Sequence, residues 1–460
     1  MILTKDKSFY KSLFLLAIPI ALQNLVTFLV GFADNVMIGS LGDGAISGVY
    51  MANQIQMLLQ IFTAGLEGAI LVLGAQYWGK RDTASLRKVA AIGARFALLF
   101  GILLTFVCFF APSFVLSFFT DKTDIIEEGA VYLRVLSLSF GFFCITQSLI
   151  AAMRSVERAR VGLYVSSVSL FLNVGLNYIL IFGKLGLSPM GVFGAALATL
   201  VSRIAECLII VIYVFFVDKR LGLKFRDFLS FDKTLLIDFV KYGAPIVLGQ
   251  LVWAVNTLSA SAIMGRLEGA GIVSGLSIAN TLYNLAYVAM NGMSGAVGII
   301  TGKTVGRGEE EKMREYAVTV QVLFLALGLL TGLGVFLLKN PFISLYPSVS
   351  REAAEVARTL INVSAITLVG TCYQAACLFG LVKSGGDVGF VFKNDFVFVF
   401  FVVLPSALIA SRLGAAPWIV YACLKSDQIL KCIVAALKIN RFNWMKNLTR
   451  GAENEKRAGA

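Results

Sequence analysis

The amino-acid sequence predicts an all-α membrane protein with twelve transmembrane helices arranged as two parallel six-helix repeats. Three observations predict this class. First, the 460-residue chain is 58% hydrophobic but only 15% charged, which is not the composition of a soluble domain. Second, apolar runs long enough to cross a bilayer recur twelve times along the chain. Third, the second half of the sequence repeats motifs of the first half.

Each apolar run approaches the length of about 20 residues that a spanning helix needs. Because lipid offers the backbone no hydrogen-bond partners, these segments must be helices, and the residue alternation of a β-barrel is missing. The first run, with Pro19 in its middle, extends far beyond the apolar core of a cleaved signal peptide. The predicted spans are residues 13–38, 50–77, 89–116, 130–151, 162–182, 192–216, 235–262, 273–301, 317–338, 356–382, 395–411 and 417–437.

The positions of Lys and Arg predict the orientation of the chain. With both termini and the even-numbered connections in the cytoplasm, 28 of the 40 Lys and Arg residues lie on the cytoplasmic side and six lie outside. Such an excess is typical of cytoplasmic loops, so the net charge of +13 reflects topology and does not indicate a nucleic-acid partner. We therefore expect a multi-pass protein of the cell (inner) membrane, in contact with the lipid bilayer, with cytoplasmic termini.

The longest charged connection divides the chain near its midpoint. It covers residues 218–234, the predicted cytoplasmic linker between an N-terminal lobe at 1–217 and a C-terminal lobe at 235–445, with a cytoplasmic tail at 446–460. Because each half has six spans, both halves enter the membrane in the same sense. At an offset of 226 or 227, Pro19, Ile20, Gly39, Leu41, Ile46, Ala52, Asn53 and Gly65 recur as Pro245, Ile246, Gly265, Leu267, Ile272, Ala279, Asn280 and Gly292.

Pro19 and Pro245 occupy equivalent positions in the first span of each half. A proline inside a helix leaves one backbone carbonyl without its usual partner and favours a bend. We therefore predict that both prolines are hinges. Most of the other small residues in the spans are explained by close packing of the helices.

Ionisable residues inside apolar spans are costly and are therefore functional candidates. Asp34 lies in the first span, where its repeat equivalent is Ala260, and Glu67 lies in the second, where its equivalent is Ser294. Asp34 is predicted to bind a coupling ion, with an interfacial carboxylate as the alternative. Glu67 is either a second coupling group or a hydrogen-bonded glutamic acid.

Two further polar pairs lie inside spans. Arg203 and Glu206, three residues apart on one helix, are predicted to neutralise each other. Asn173 and Asn177 share one helix face, where their amides can coordinate a cation or hold helices together. The chain has no histidine, which excludes imidazole-based catalysis and proton relay. We expect no enzymatic activity and no cofactor apart from a coupling ion.

The sequence resembles the multidrug and toxic compound extrusion (MATE) family over essentially its whole length. The resemblance implies two six-helix lobes forming a V around a central cavity, and export of amphipathic, often cationic compounds in exchange for sodium ions or protons. It also implies a cation site at Asp34, Asn173, Asn177 and Thr199. The motifs that carry it are AIPIALQ at 17–23, QYWGKRD at 76–82, LNVGLNYILIFG at 172–183, GAALATLVSR at 194–203, GAPIVLGQLVW at 243–253, LVKSGGD at 381–387 and NWMKNLT at 443–449.

The chain departs from the family pattern at three positions. DinF-type members carry a second acid where this chain has Asn177, and NorM-type members carry acids where it has Trp253 and about Cys372. Glu67 is a candidate replacement for the missing acid. Trp253 and Asn256 are expected to line the substrate cavity.

Two other functions fit a helical membrane protein. A lipid-linked precursor flippase would need a cluster of cavity Arg or Lys for its anionic cargo, and few such residues lie in the N-terminal spans. An intramembrane aspartyl protease would use the Gly-Gly-Asp sequence at 385–387, which lies at a cytoplasmic end. We expect small-molecule substrates and a monomeric protein.

Overall fold

The computed structural model describes residues 3–267, 269, 271–346 and 349–450, and these residues form helices joined by short connections. The helices are α1 (Lys7–Gly39), α2 (Asp43–Gly79), α3 (Thr83–Phe110), α4 (Pro112–Ser117), α5 (Thr123–Ser137), α6 (Phe140–Ser155), α7 (Ala159–Phe182), α8 (Gly191–Ile212), α9 (Phe225–Leu229), α10 (Lys233–Gly265), α11 (Ile272–Gly306), α12 (Glu310–Ile343), α13 (Arg351–Gln374), α14 (Val388–Val397), α15 (Leu404–Arg412), α16 (Pro417–Leu424) and α17 (Asp427–Asn440). Wider π-helical turns extend three of them, at Tyr213–Val217, Ala375–Lys383 and Phe398–Val403.

Within the described ranges, ten helical segments are long and apolar enough to cross a membrane. Helices α5 and α6, bent by 49° at their junction, pass the same test together. These eleven segments coincide with eleven of the twelve predicted spans. The twelfth, at 417–437, is divided into α16 and α17 at Lys425 and Ser426. Three ionisable residues, Lys425, Asp427 and Lys431, interrupt this run, and each forms contacts inside the protein.

The chain folds into two compact units. The N unit is Leu22–Val247, and the C unit combines Met1–Ala21 with Leu248–Ala460. The division therefore runs through α1 and α10, and not through the predicted linker at 218–234. As a result, the first residues of α1 pack with the second half of the chain, and the first residues of α10 pack with the first half.

Glycines permit an equivalent helix crossing inside each unit. In the N unit, a Cβ on Gly65 of α2 would lie 2.7 Å from the Cα of Val247 in α10. In the C unit, a Cβ on Gly292 of α11 would lie 2.6 Å from the Cβ of Ala21 in α1. Such distances exclude any side chain, so these backbones approach each other only because both positions are glycine. Gly65 and Gly292 are repeat equivalents, and the crossing is therefore part of the repeat.

The end of the described chain packs against the connection before α14. Trp444 is fully buried, and the backbone N–H of Lys446 donates to the carbonyl of Gly385 at 2.7 Å. Gly386 has a φ of 106°, a conformation that favours glycine. The neighbouring Asp387 forms ion pairs with Lys438 at 2.7 Å and Lys446 at 2.8 Å. The Gly-Gly-Asp sequence at 385–387 thus holds the end of the described chain in place, which favours a structural role for its carboxylate over a protease site.

Asp387→Asn is expected to lower stability by about 1.5 to 3 kcal/mol at neutral pH, the usual contribution of hydrogen bonds to a charged group. Burial raises the pKa of Asp387, but its hydrogen bonds to Lys438 and Lys446 and their charges outweigh burial and lower it below the usual value. The carboxylate therefore stabilises the fold above its unfolded pKa of about 4 and loses this effect as the pH falls through its lower folded pKa. Thermal unfolding in detergent should show wild type and variant converging only in acid. A difference that persists at pH 2 would contradict this assignment, and Asp121→Asn, in the connection before α5, is the control.

Candidate cation-binding site

Four polar side chains predicted to form a site come together inside the N unit. Asn173 and Asn177 lie one turn apart on α7, and Thr199 lies on α8. The two helices pack so closely at Gly194 that a Cβ there would lie 2.8 Å from the backbone of Leu180. The absence of a side chain at Gly194 permits this approach. All three polar side chains are buried, with Asn177 fully inaccessible. The close approach of α7 and α8 therefore presents these groups to α1.

Hydrogen bonds connect this cluster to Asp34 of α1. The side-chain amide of Asn177 donates to Asp34 Oδ1 and also to Asn173 Oδ1, the latter at 3.2 Å. Asn173 in turn donates to Thr199 Oγ1 at 3.5 Å. Thr199 donates to the backbone carbonyl of Ala195 at 3.1 Å. The predicted residues thus form one connected chain that ends on a carboxylate.

The oxygen atoms of this cluster are suited to bind a small hard cation or a proton. Asn177 Oδ1 is buried and has no hydrogen-bond partner, although buried acceptors are normally satisfied. Together with the Asp34 carboxylate, Asn173 Oδ1 and Thr199 Oγ1, it provides the oxygen ligands that hard cations prefer. In the part of the chain that the structure describes, no group of three or more His, Cys, Asp or Glu could hold a metal ion. Among these four side chains, Asp34 provides the one carboxylate.

A polar cavity of about 200 Å³ opens onto this cluster within the N unit. It is large enough for several water molecules, so an ion reaching Asp34 can remain partly hydrated. Glutamine and asparagine side chains of α2 face the same space. The polar residues lining it include Asp34, Asn53, Gln56, Gln60, Tyr132, Asn173, Thr199 and Arg203.

Arg203 is a cavity residue that the sequence analysis treated only as half of an ion pair. The predicted pair is present, since Arg203 NH1 lies 2.7 Å from Glu206 Oε2. The guanidinium also lies 5.0 Å from the ring centroid of Phe143, within the range of a cation–π interaction. Asp34 thus shares its cavity with a cation that is held by another acid.

Glu67 does not line this cavity. Its carboxylate interacts electrostatically with the guanidinium of Arg154 at the end of α6. Arg154 also donates to Gln23 Oε1 of α1 at 2.8 Å. Glu67 therefore lies near a polar contact between α6 and α1 that is separate from this cavity. Its coupling role stays a prediction.

The other predicted residues lie on the helices that cross between the units. Pro19 lies inside α1, two residues before the boundary of the units at Ala21, and Pro245 lies inside α10, two residues before the boundary at Val247. Trp253 is 49% exposed. Asn256 Oδ1 is a buried acceptor without a hydrogen bond.

A buried ion cluster in the C unit joins Lys431 and Asp427, charged residues of the last predicted span that were expected to pair or snorkel, to Asp395, a partner that was not predicted from the sequence. Lys431 of α17 donates to Asp427 Oδ2 and to Asp395 Oδ1 of α14, both at 2.9 Å. Gln428 donates to Asp427 Oδ1 at 3.1 Å. By contrast, Cys372, the position of a NorM-type acid, is fully buried in the hydrophobic core. The C unit therefore carries buried carboxylates, but they lie on α14 and α17.

The fold and the buried carboxylate site define a polytopic helical membrane protein built from two repeated halves. The MatE family model matches residues 19–179 and 245–421, one segment in each half. Because these segments cover most of the chain, the protein belongs to the multidrug and toxic compound extrusion family. The two matched segments begin at Pro19 and Pro245, in agreement with the repeat found in the sequence.

Relatives and solved structures agree with this family. The probable multidrug resistance protein NorM of Thermotoga maritima is 28% identical over 340 residues, which cover 74% of this chain and 72% of the relative. The multidrug resistance protein NorM of Aliivibrio fischeri is 24% identical over 88% of this chain and 86% of its own. A crystal structure of a MATE protein in the straight conformation superposes with a TM-score of 0.85 at 20% identity, covering 96% of this chain and 99% of its own. A transporter of the MOP superfamily from Pyrococcus furiosus gives 0.84 at 21% identity, with the same coverage of both chains.

Proposed function

We propose that the protein is a secondary active antiporter that exports amphipathic, often cationic compounds in exchange for sodium ions or protons. The observation that carries this proposal is the Asp34 carboxylate, hydrogen-bonded to Asn177 beside a buried amide oxygen that lacks a partner. Relatives named as multidrug resistance proteins support the substrate class. We further propose a monomer in the cell (inner) membrane, with both termini in the cytoplasm.

In the proposed mechanism, the charge state of Asp34 sets the balance between outward-open and inward-open conformations. Binding of a cation or proton neutralises the carboxylate and satisfies Asn177 Oδ1, with Asn173 and Thr199 as further ligands. An ion shifts a conformational equilibrium only by its differential affinity for the two states. Asp34 can exert this effect because it lies on α1, the helix that enters both compact units.

Pro19 and Pro245 are proposed to absorb the movement. Each lies two residues before its helix passes from one unit to the other, where a missing backbone hydrogen bond permits a change of bend at little cost. The glycine crossings next to these points keep the packed ends of α1 and α10 in place. Trp253 and Asn256 are proposed to contact substrate in the C unit.

A flippase for anionic lipid-linked precursors is less consistent with the cavity. The basic residue that lines the cavity, Arg203, is already paired with Glu206. Asp34 adds a negative charge to the same cavity. Binding of an anionic cargo there would be unfavourable, because an unpaired charge close to a like charge is costly in a low-dielectric site.

The proposal is tested with purified protein in liposomes loaded with a cationic dye such as ethidium. An inward sodium gradient and an inward proton gradient are imposed in separate experiments, each followed by the matching ionophore. We expect one of the two gradients to drive dye out of the liposome lumen. The matching ionophore, which dissipates that gradient, should stop the efflux. If neither gradient moves dye, although the protein is folded and correctly inserted, the antiport proposal is wrong.

A further inference from the structure

An ammonium group of the protein itself lies against aromatic rings in the C unit. Lys425, in the break between α16 and α17, places its Nζ 4.0 Å from the ring centroid of Tyr283 and 5.7 Å from that of Tyr421. Tyr287, one turn after Tyr283 on α11, is nearly parallel to it, with an interplanar angle of 11°. We call Tyr283, Tyr287 and Tyr421 the tyrosine box. Aromatic faces of this kind bind organic ammonium ions.

The tyrosine box is fixed by its surroundings. The hydroxyl of Tyr421 is hydrogen-bonded to Ser364 at 3.1 Å, and that of Tyr283 lies 3.5 Å from Thr371 Oγ1, both on α13. Both rings are at least nine-tenths buried. A binding site whose rings are already immobilised loses little conformational entropy when a ligand binds. The box is therefore preorganised for a cation.

Lys425 has no ion pair of its own among the described residues, unlike its neighbours. The nearest acid along the chain, Asp427, is held by Lys431 at 2.9 Å and by Gln428 at 3.1 Å. Lys425 also lies in a helix break, and its long, flexible side chain can move away from the tyrosine rings. Its ammonium therefore occupies the box without being anchored to an acid.

The repeat relates the tyrosine box to the cavity of the N unit. At the offset of 227, Tyr283 and Tyr287 correspond to Gln56 and Gln60, and both glutamines line the cavity beside Asp34. The same helix face thus borders a polar ion cavity in one unit and an aromatic cation box in the other. Packing of the repeated fold does not require tyrosine at these positions, since the equivalent positions are glutamines.

We propose that the tyrosine box is a binding site for organic ammonium ions, and that the Lys425 ammonium is a tethered occupant that such a ligand displaces. This proposal goes beyond ion coupling at Asp34, because it assigns recognition of the cationic group to the C unit. It concerns binding at equilibrium, so it can fail while the antiport proposal holds, and the reverse.

The test measures binding of phenyltrimethylammonium to the purified full-length protein by isothermal titration calorimetry, with no ion gradient. The background carries Asp34→Asn, which removes cation binding at the N unit. Lys425→Met removes the tethered ammonium and should raise the affinity about tenfold, as expected if the box is free only about one-tenth of the time in its presence. Adding Tyr283→Leu should abolish this gain, whereas adding Tyr283→Phe, which keeps the ring face, should preserve it.

Neutral tert-butylbenzene, which has the same shape, is the matched control ligand. An equal gain for this ligand would show that Lys425→Met merely opens an apolar void, and would overturn the proposal. An unchanged affinity for phenyltrimethylammonium in folded Lys425→Met would also overturn it. A second experiment uses the wild-type protein, so a folding defect in a variant cannot affect its result. Saturating phenyltrimethylammonium should speed acetylation of Lys425, followed by mass spectrometry, and unchanged or slower acetylation would contradict displacement.

Discussion

Asp34→Asn is expected to abolish gradient-driven efflux while leaving folded protein in the membrane. The asparagine keeps an oxygen that can accept the hydrogen bond from Asn177, but it removes the negative charge. Loss of one partner from a buried charged contact costs about 3 kcal/mol or more, and this corresponds to a loss of about 100-fold or more in ion affinity. We therefore expect dye efflux under the effective gradient to fall to the rate seen without a gradient.

A matched variant separates coupling from general damage. Asp121→Asn also removes one carboxylate, but in the exposed connection before α5, and it should transport like the wild type. Thermal unfolding of Asp34→Asn should remain close to that of wild type, since the shape of the side chain is kept. Full gradient-driven efflux by Asp34→Asn would remove this carboxylate from the mechanism.

Among the substitutions considered, Lys431→Met is expected to cause the largest decrease in the free energy of unfolding. The ammonium of Lys431 is almost fully buried and lies 2.9 Å from a carboxylate oxygen of both Asp395 and Asp427. Its removal leaves two buried acids close together without a counter-charge. Breaking a buried ion pair from one side costs about 3 to 5 kcal/mol. Unfolding of the purified protein, followed by thermal aggregation in detergent, should therefore occur at a clearly lower temperature.

The control for this prediction removes all the charges together. In the triple variant Asp395→Asn, Asp427→Asn and Lys431→Met, no uncompensated charge remains, so much of the lost stability should return. If the single variant is as stable as the wild type, the three residues do not form the ion cluster described above. Restored stability in the triple variant would show that the cost arises from unpaired charge and not from lost packing.

Much of the fold could be predicted from the sequence because lipid imposes a simple rule on composition. Eleven predicted spans coincide with helical segments, since about 20 apolar residues in a row have only one stable conformation in a bilayer. The division inside α1 and α10 could not be predicted in the same way. The sequence is apolar on both sides of the boundaries at Ala21 and Val247, and the exchange of the helix ends depends on close backbone contacts such as Gly292 with Ala21.

Asp34, Asn173 and Asn177 could also be found from the sequence, because an acid or an amide pair stands out in an apolar run, whereas Thr199 was assigned only through the family resemblance. Asp34, Asn173, Asn177 and Thr199 do come together, although their role as ion ligands stays a prediction. The C-unit cluster was harder to find. Asp395 begins its predicted span and so resembled a residue of the membrane surface. Its partner, Lys431, is 36 residues away, and no local pattern connects them.

The most direct test of the account is whether substrate binding expels an ion from Asp34. Because linkage between two ligands is reciprocal, adding ethidium to purified wild-type protein in weak buffer should release about one proton or one sodium ion per bound molecule. A pH-sensitive dye and radioactive sodium would measure the two ions. We predict that Asp34→Asn binds ethidium but releases neither ion. Release from this variant equal to that from wild type would contradict the account.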